Sequence, residues 1–322
     1  MQERNLKSFI GGKRMKKPND EELNNIFDDI SLDRTIKKAK RNTLLRSIIV
    51  SAIMFILISV CVVKANSFWI NKIGDETAAQ LIKEDAIMKA PNTIVRTETV
   101  ETGFMKGTVK REVFKVVEDK IIPWETQEAH FGLKGFETMT SSSYSTIIND
   151  TTKINIPSGE KSMGFYVPQF TYKSYSDDLS KLKEYPNDKY IELGISFDKS
   201  YTMNEVKNML PDEINPTWYW VNDYSNEADE RDYPEGDKFM YGIYEPSSEV
   251  GKSMSSSKIN SEADFLNRLK KINKADYDLL KLQQKDGLII GVVVTGTKEA
   301  LLKLENQSYV KATSIGAVVD KY

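Results

Sequence analysis

Cysteine and histidine, which serve most often as thiolate nucleophile, general base or transition-metal ligand, are scarce in this chain of 322 residues, which holds one cysteine, Cys61, and one histidine, His130. A histidine-based triad would have to recruit His130, yet no Gly-x-Ser-x-Gly elbow is present, and a lone histidine cannot build a multi-histidine metal site. Cys61 stands inside an apolar run, where a packed small hydrophobe is a better reading than an acylation site, and the rest of the chain has neither a disulfide nor a cysteine zinc site. The acidic run Asp223, Glu227, Asp229, Glu230, Asp232, Glu235, Asp237 does not keep the Asp-x-Asp-x-Asp-Gly spacing of a calcium loop and reads as a solvated turn between two strands. Trp218-Tyr219-Trp220 would stack on sugars if exposed, but strand alternation puts Trp218 and Trp220 on one face and Tyr219 on the other, and burial is the better expectation. No residue is therefore assigned a catalytic, cofactor-binding or metal role: the chain reads as a non-enzyme without a cofactor.

The element that positions everything else is Ser47–Val63, SIIVSAIMFILISVCVV, the one long window without charge. As a helix it covers roughly 25 Å, close to the hydrocarbon thickness of a bilayer, and it reads as a single membrane span. Arg34, Lys37, Lys38, Lys40, Arg41 and Arg46 precede it, while Lys64 and Lys72 follow with Phe68 and Trp69 at headgroup level, so the N-terminus is expected in the cytoplasm. A cleaved signal peptide fits worse, because a polar segment of more than forty residues comes first and Val63-Lys64-Ala65 is a poor cleavage site. Charge divides the same way, +5 up to Arg46 and −7 beyond the span, which together make the −2 of the whole chain. The basic inner charge suits a topology anchor beside anionic lipid and does not point to direct nucleic-acid binding.

These features divide the chain into residues 1–46 (cytoplasmic amphipathic segment), 47–63 (span), 64–160 (membrane-proximal outer region) and 161–322 (outer C-terminal domain). Gly11-Gly12 shortly before Met15 would be consistent with a ribosome-binding site read as protein, so Met15 is an alternative start. From Asn19 the pattern turns helical, with Leu23, Ile26, Phe27 and Ile30 at i, i+3, i+4, i+7 on one face. A second register begins near Ser31 and runs into the basic flank. Two such short helices are too small for a core of their own, so the stripe needs a partner, the membrane surface, or solvent. Beyond the span the expected order is a helix over Asp75–Ala90, paired strands at Thr93–Val100 and Thr108–Val117, a loop-dominated Thr138–Ser158, and a strand at Met163–Val167. It continues with a strand at Ile191–Phe197, a capped helix from Thr202 to Pro211, strands at Trp218–Val221 and Lys238–Tyr244, and a helix capped by Ser261. A strand at Leu288–Thr295, a helix at Lys298–Leu304 and a strand at Tyr309–Val319 close the chain. No Gly-rich phosphate loop interrupts the alternation, and the fold class expected is α+β with a largely antiparallel sheet.

The stretch Glu192–Tyr224, ELGISFDKSYTMNEVKNMLPDEINPTWYWVNDY, resembles the C-terminal domain of the sigma factor regulator family, membrane-anchored anti-sigma factors of Gram-positive bacteria. Val113-Phe114-Lys115-Val116-Val117 with Ile122-Pro123-Trp124, Met163–Pro168, Ser261-Glu262-x-x-Phe265, Gly291–Thr297 and Ala312–Ala317 fit the same pattern in order, and Lys37–Arg46 is similar to the family's N-terminal region. The resemblance implies a regulator that binds an extracytoplasmic-function sigma factor inside the cell and responds to envelope stress outside it, with no catalytic residues. Leu23, Ile26, Phe27 and Ile30 are then the candidate sigma-binding residues. Whether release uses proteolysis, a second small membrane protein or a conformational change is open at this point. The competing reading is a membrane-anchored module that binds cell wall or glycan.

Overall fold

A computed structural model describes residues 30–322, except 89, 143–144, 149–151, 156–157, 226, 254–258 and 260. The chain forms two compact units, Met1–Ala65 and Asn66–Tyr322. Helix α1 (Ile30–Asp85) is continuous for 56 residues and contains a stretch long and apolar enough to cross a membrane. Leu44 through Val63 expose their apolar side chains, as lipid-facing positions do. The helix expected from Ser31 is thus part of α1, and the one expected over Asp75–Ala90 is the last stretch of α1, which ends at Asp85 and not at Ala90. No proline occurs in it and Gly74 is its one glycine, so nothing ends the helix before Asp85.

Within the second unit, sheet A is a meander of β1 (Thr93–Thr102), β2 (Lys106–Val117), β3 (Lys120–Gly132) and β4 (Gly135–Ser141). From Ile70 to Leu81, α1 lays Ile70, Ile73, Ala78 and Leu81 against Val109, Ala129 and Phe131. Buried aliphatic side chains of this kind contribute roughly 1.5–3 kcal/mol each. The contact is close enough to demand glycine: a Cβ on Gly74 would lie 2.6 Å from Val100 Cγ1 and 2.9 Å from the Phe131 ring.

A second small sheet follows, formed by β5 (Ser145–Ile148), β6 (Thr152–Asn155) and β7 (Lys161–Ser162). The expected loop Thr138–Ser158 is therefore largely strand, because its Thr and Ile residues suit a pleated backbone although its Ser and Asn content signals turns. The strand expected at Met163–Val167 is reduced to β8 (Gly164–Phe165), followed by β9 (Phe170–Tyr172).

Sheet B, in the spatial order β14-β11-β15-β10-β16, is antiparallel throughout. Along the chain it contains β10 (Lys189–Tyr201) and β11 (Asn215–Val221). Two short strands, β12 (Asp229–Arg231) and β13 (Glu235–Gly236), pair with β9 in parallel and with β8 antiparallel. Sheet B is completed by β14 (Gly242–Tyr244), β15 (Ile289–Gly296) and β16 (Val310–Asp320). The strand expected over Lys238–Tyr244 shortens to β14 because Phe239 takes a left-handed φ of 56°, which interrupts an extended run. The α+β class with mainly antiparallel pairing stands.

Helix α2 (Met203–Met209) begins with the expected capping box, Thr202 Oγ1 accepting from Glu205 N while the Glu205 carboxylate accepts from Thr202 N. After a short α3 (Glu249–Ser253), Ser261 caps α4 (Glu262–Ile272). Helix α5 (Lys274–Gln283), absent from the sequence reading, follows directly, because Asn273 ends α4 and accepts from the N–H groups of Ala275 and Asp276. Helix α6 (Lys298–Leu301) runs into a single 3-10 turn. One face of sheet B, with Leu193, Ile195, Tyr219 and Val292, packs against Val206, Phe265, Leu269 and Leu301 of these helices. The other, with Trp218, Trp220 and Val293, packs against Phe165, Tyr166 and Met240. Strand β11 is core on both faces.

Gly74→Leu should overpack the helix–sheet contact and destabilise the second unit by about 1–3 kcal/mol. Guanidinium unfolding of the full chain in detergent, followed by emission of the buried tryptophans, checks this; an unchanged midpoint would show that the contact does not bear on stability.

Candidate functional site

Strand β2 alternates, and its inward face reads Val109, Arg111, Val113, Lys115, Val117, all buried. Two cations on an inward face are tolerable only where anions meet them. Lys115, fully buried, donates from Nζ to Glu192 Oε2 at 2.8 Å, lies 3.9 Å from Asp237 Oδ2, and stands 4.1 Å over the Trp124 ring. Glu192, also fully buried on β10, accepts in addition from Asn92 Nδ2 at 2.9 Å and from the Ala317 N–H at 3.0 Å. Asp237 accepts from the Met163 N–H. Burial pushes the Asp237 carboxyl above its ordinary range, with Lys115 opposing the rise and Glu192 adding to it.

About one helical turn past Leu81, Arg111 of β2 reaches the last residue of α1, Asp85. Its guanidinium pairs with the Asp85 carboxylate, its Nε lies 3.2 Å from Glu98, and Nη1 donates to Gln127 at 3.4 Å. Gln127 in turn donates to Glu125, which accepts from Lys238 at 2.8 Å. Burial raises the Glu98 carboxyl although Arg111 pulls it down. The charges thus join α1, sheet A, sheet B and the segment before β14. They provide position and electrostatic coupling.

Leu23, Ile26 and Phe27 lie outside the described residues, and Ile30 is the first residue of α1. His130 sits on β3 with Nδ1 3.0 Å from Thr108 Oγ1 and Nε2 3.9 Å from Glu128. Cys61 is exposed on α1. Among the described residues no group of three or more His, Cys, Asp or Glu is arranged to hold a metal. The acidic run is not wholly a solvated turn: Asp229 and Glu230 are exposed, whereas Asp237 is buried in the Lys115 cluster. Asp223 is half-buried, and burial pushes its carboxyl up to about 6, with Asp276 and Glu235 adding to the rise. Trp218, Tyr219 and Trp220 are all interior and offer no sugar platform. The buried charges escaped the sequence reading, although single charged residues inside apolar runs, Lys115 in VFKVV and Glu192 in IELGISF, were the available signal.

Residues 33–122 match the family model Sigma factor regulator N-terminal, and residues 182–317 match Sigma factor regulator C-terminal. The chain belongs to the sigma factor regulator family. This supports an anti-sigma factor role in transcription regulation within a regulatory, non-enzymatic family, with a sigma factor as partner. The apolar stretch of α1 fits a single-pass membrane protein. No curated protein and no solved structure matches the chain.

Lys115→Met leaves two buried carboxylates without their cation and should cost about 3–5 kcal/mol, part of it recovered when Glu192→Gln is added. Tryptophan-detected unfolding of the two variants measures both. Asp223 carries a pH signature of definite sign. Its folded-state value of about 6 exceeds the ordinary 3.8, so the native state keeps this proton longer, and stability is lost as pH rises between those values. Asp223→Asn should therefore raise the melting temperature above that of the parent once pH exceeds 6 and have little effect below 3.8.

Proposed function

We propose that this protein is a single-pass membrane anti-sigma factor that sequesters an extracytoplasmic-function sigma factor through residues 1–46 and responds to envelope conditions through the region beyond the span. The observation that carries the reading is the order of matched segments, a regulator N-terminal region that includes the span followed by a regulator C-terminal domain. The basic flank before Ser47 supports a cytoplasmic N-terminus. Leu23, Ile26, Phe27 and Ile30 then dock as an amphipathic helix in an apolar groove of the sigma factor and deny it to core polymerase. The outer domain acts on that segment through α1, whose end is held by Arg111. A rearrangement that frees Asp85 would alter the helix that carries the span. The reading as a cell-wall or glycan binder loses its best residues, since Trp218 and Trp220 are buried.

Each apolar side chain in such a groove contributes roughly 1.5–3 kcal/mol before ordering costs, so Phe27→Asp with Ile30→Asp should abolish binding. The full-length protein in detergent is expected to retain a small two-domain sigma factor from lysate of the source cell, and the double variant to lose it while the sigma regulon rises. An unchanged regulon would overturn the residue assignment, and no sigma factor on the parent protein would overturn the function.

A further inference from the structure

Beyond Val63, the last residue of the apolar window, α1 continues, and three residues on its Asn66 makes a pair of contacts with the turn between β1 and β2. Asn66 Nδ2 donates to the Gly103 carbonyl at 3.0 Å, and Asn66 Oδ1 accepts from the Met105 N–H at 2.7 Å. At about 1.5 Å of rise per residue, Asn66 stands about 4.5 Å past the end of the window. That height is within the headgroup layer, which adds roughly 5–7 Å on each side of the hydrocarbon. The turn tied to Asn66 shares this height.

The residues at that turn are the wrong kind for water. Phe104 and Met105 are 61 % and 50 % exposed at its apex. Met105 adopts a left-handed φ of 62°, so the reversal that presents both side chains is built into the backbone. The next turn along sheet A lies beside it, because Lys106 pairs with Gly132, and it presents Leu133 and Phe136, both exposed. On α1, Phe68 and Trp69 are exposed at the same end. Scattered surface apolar residues need no account, but four large ones on two adjacent turns, beside two exposed aromatics of a membrane helix, form a surface that water disfavours. Exposed Lys106 and Lys134 flank the two turns and suit anionic headgroups, while Glu101, one step back, is paired with Lys110 at 3.1 Å.

We propose that the β1–β2 and β3–β4 turns of sheet A form a membrane-docking surface, with Phe104, Met105, Leu133 and Phe136 seated in the interface of the leaflet that α1 leaves at Val63. The occupant is the lipid surface itself, because Asn66 fixes the β1–β2 turn to the helix at headgroup height. Docking supplies sheet A with a second point of attachment to the bilayer besides the span. This holds for either orientation of the span and does not depend on sigma binding.

The test uses full-length protein carrying Cys61→Ser, so that single cysteines introduced as Phe104→Cys, Leu133→Cys or, as a control, Leu282→Cys on α5 can each bear an environment-sensitive NBD dye. The three proteins are placed in nanodiscs of phosphatidylethanolamine and phosphatidylglycerol, with and without lipid spin-labelled near the headgroup. The proposal expects blue-shifted NBD emission at 104 and 133, lost when the spin-labelled lipid is present, and water-like, unquenched emission at 282. Leu133→Cys keeps the test decisive if Phe104→Cys disturbs the Asn66 turn. Emission at 104 and 133 as aqueous as at 282 would overturn the proposal. So would shielding that ignores the spin label and falls when protein is diluted to one chain per disc, which would assign the surface to a second copy.

Discussion

The Lys115 amine has no access to solvent, and the unit Asn66–Tyr322 is arranged around that fact. A dry ammonium is tolerated only where carboxylates and an aromatic face surround it closely, and here those come from three parts of the chain: Trp124 on β3, Glu192 on β10 and Asp237 after β13. Glu192 makes the cluster a junction, because its remaining capacity is filled by Asn92 at the start of sheet A and by the backbone of β16. Around it the contact is apolar, with Val113, Val117 and Trp124 of sheet A against Ala317 and Val319 of sheet B. The hydrophobic contact supplies the attraction between the sheets, and the buried Lys115–Glu192 pair selects one register for it, since any slip leaves a charge facing hydrocarbon.

The same rule explains how α1 meets the domain. Its apolar stripe from Ile70 to Leu81 attracts it to sheet A, Gly74 lets it approach, and Arg111 fixes where it ends. Beyond Asp85 the chain enters the domain core directly: Ile87 packs in the helix-covered cluster and the Ala90 carbonyl accepts from the Tyr244 hydroxyl at 3.0 Å. The helix that contains the span is therefore joined to both sheets within a few residues.

What the sequence made legible follows from locality. The span, the capping box at Thr202 and Glu205, the Ser261 cap and the burial of Trp218 and Trp220 each depend on a periodicity or on a contact between near neighbours. The continuity of α1 was hidden because the sequence changes character twice, from basic to apolar to amphipathic, while the backbone needs only the absence of a breaker. Strands β5 and β6 were hidden because Thr and Ser serve both pleat and turn, and α5 because its cap, Asn273, also closes the preceding helix. The Lys115–Glu192 pair joins residues 77 positions apart, and no local pattern specifies such a partner.

The two charge clusters differ in how readily they can open, and the difference assigns them different parts. Lys115 and Glu192 have no solvent exposure, so separating them without unfolding strands two charges in a dry interior. Arg111 is nearly as buried, but its partners Asp85 and Glu98 are about one-fifth exposed, and water can take over their hydration as they leave. Local opening follows the smaller penalty. The end of α1 is therefore the joint that gives way first while the sheets stay together. A domain built this way can change its hold on α1 without losing its own fold, which is what the proposed regulation through that helix requires.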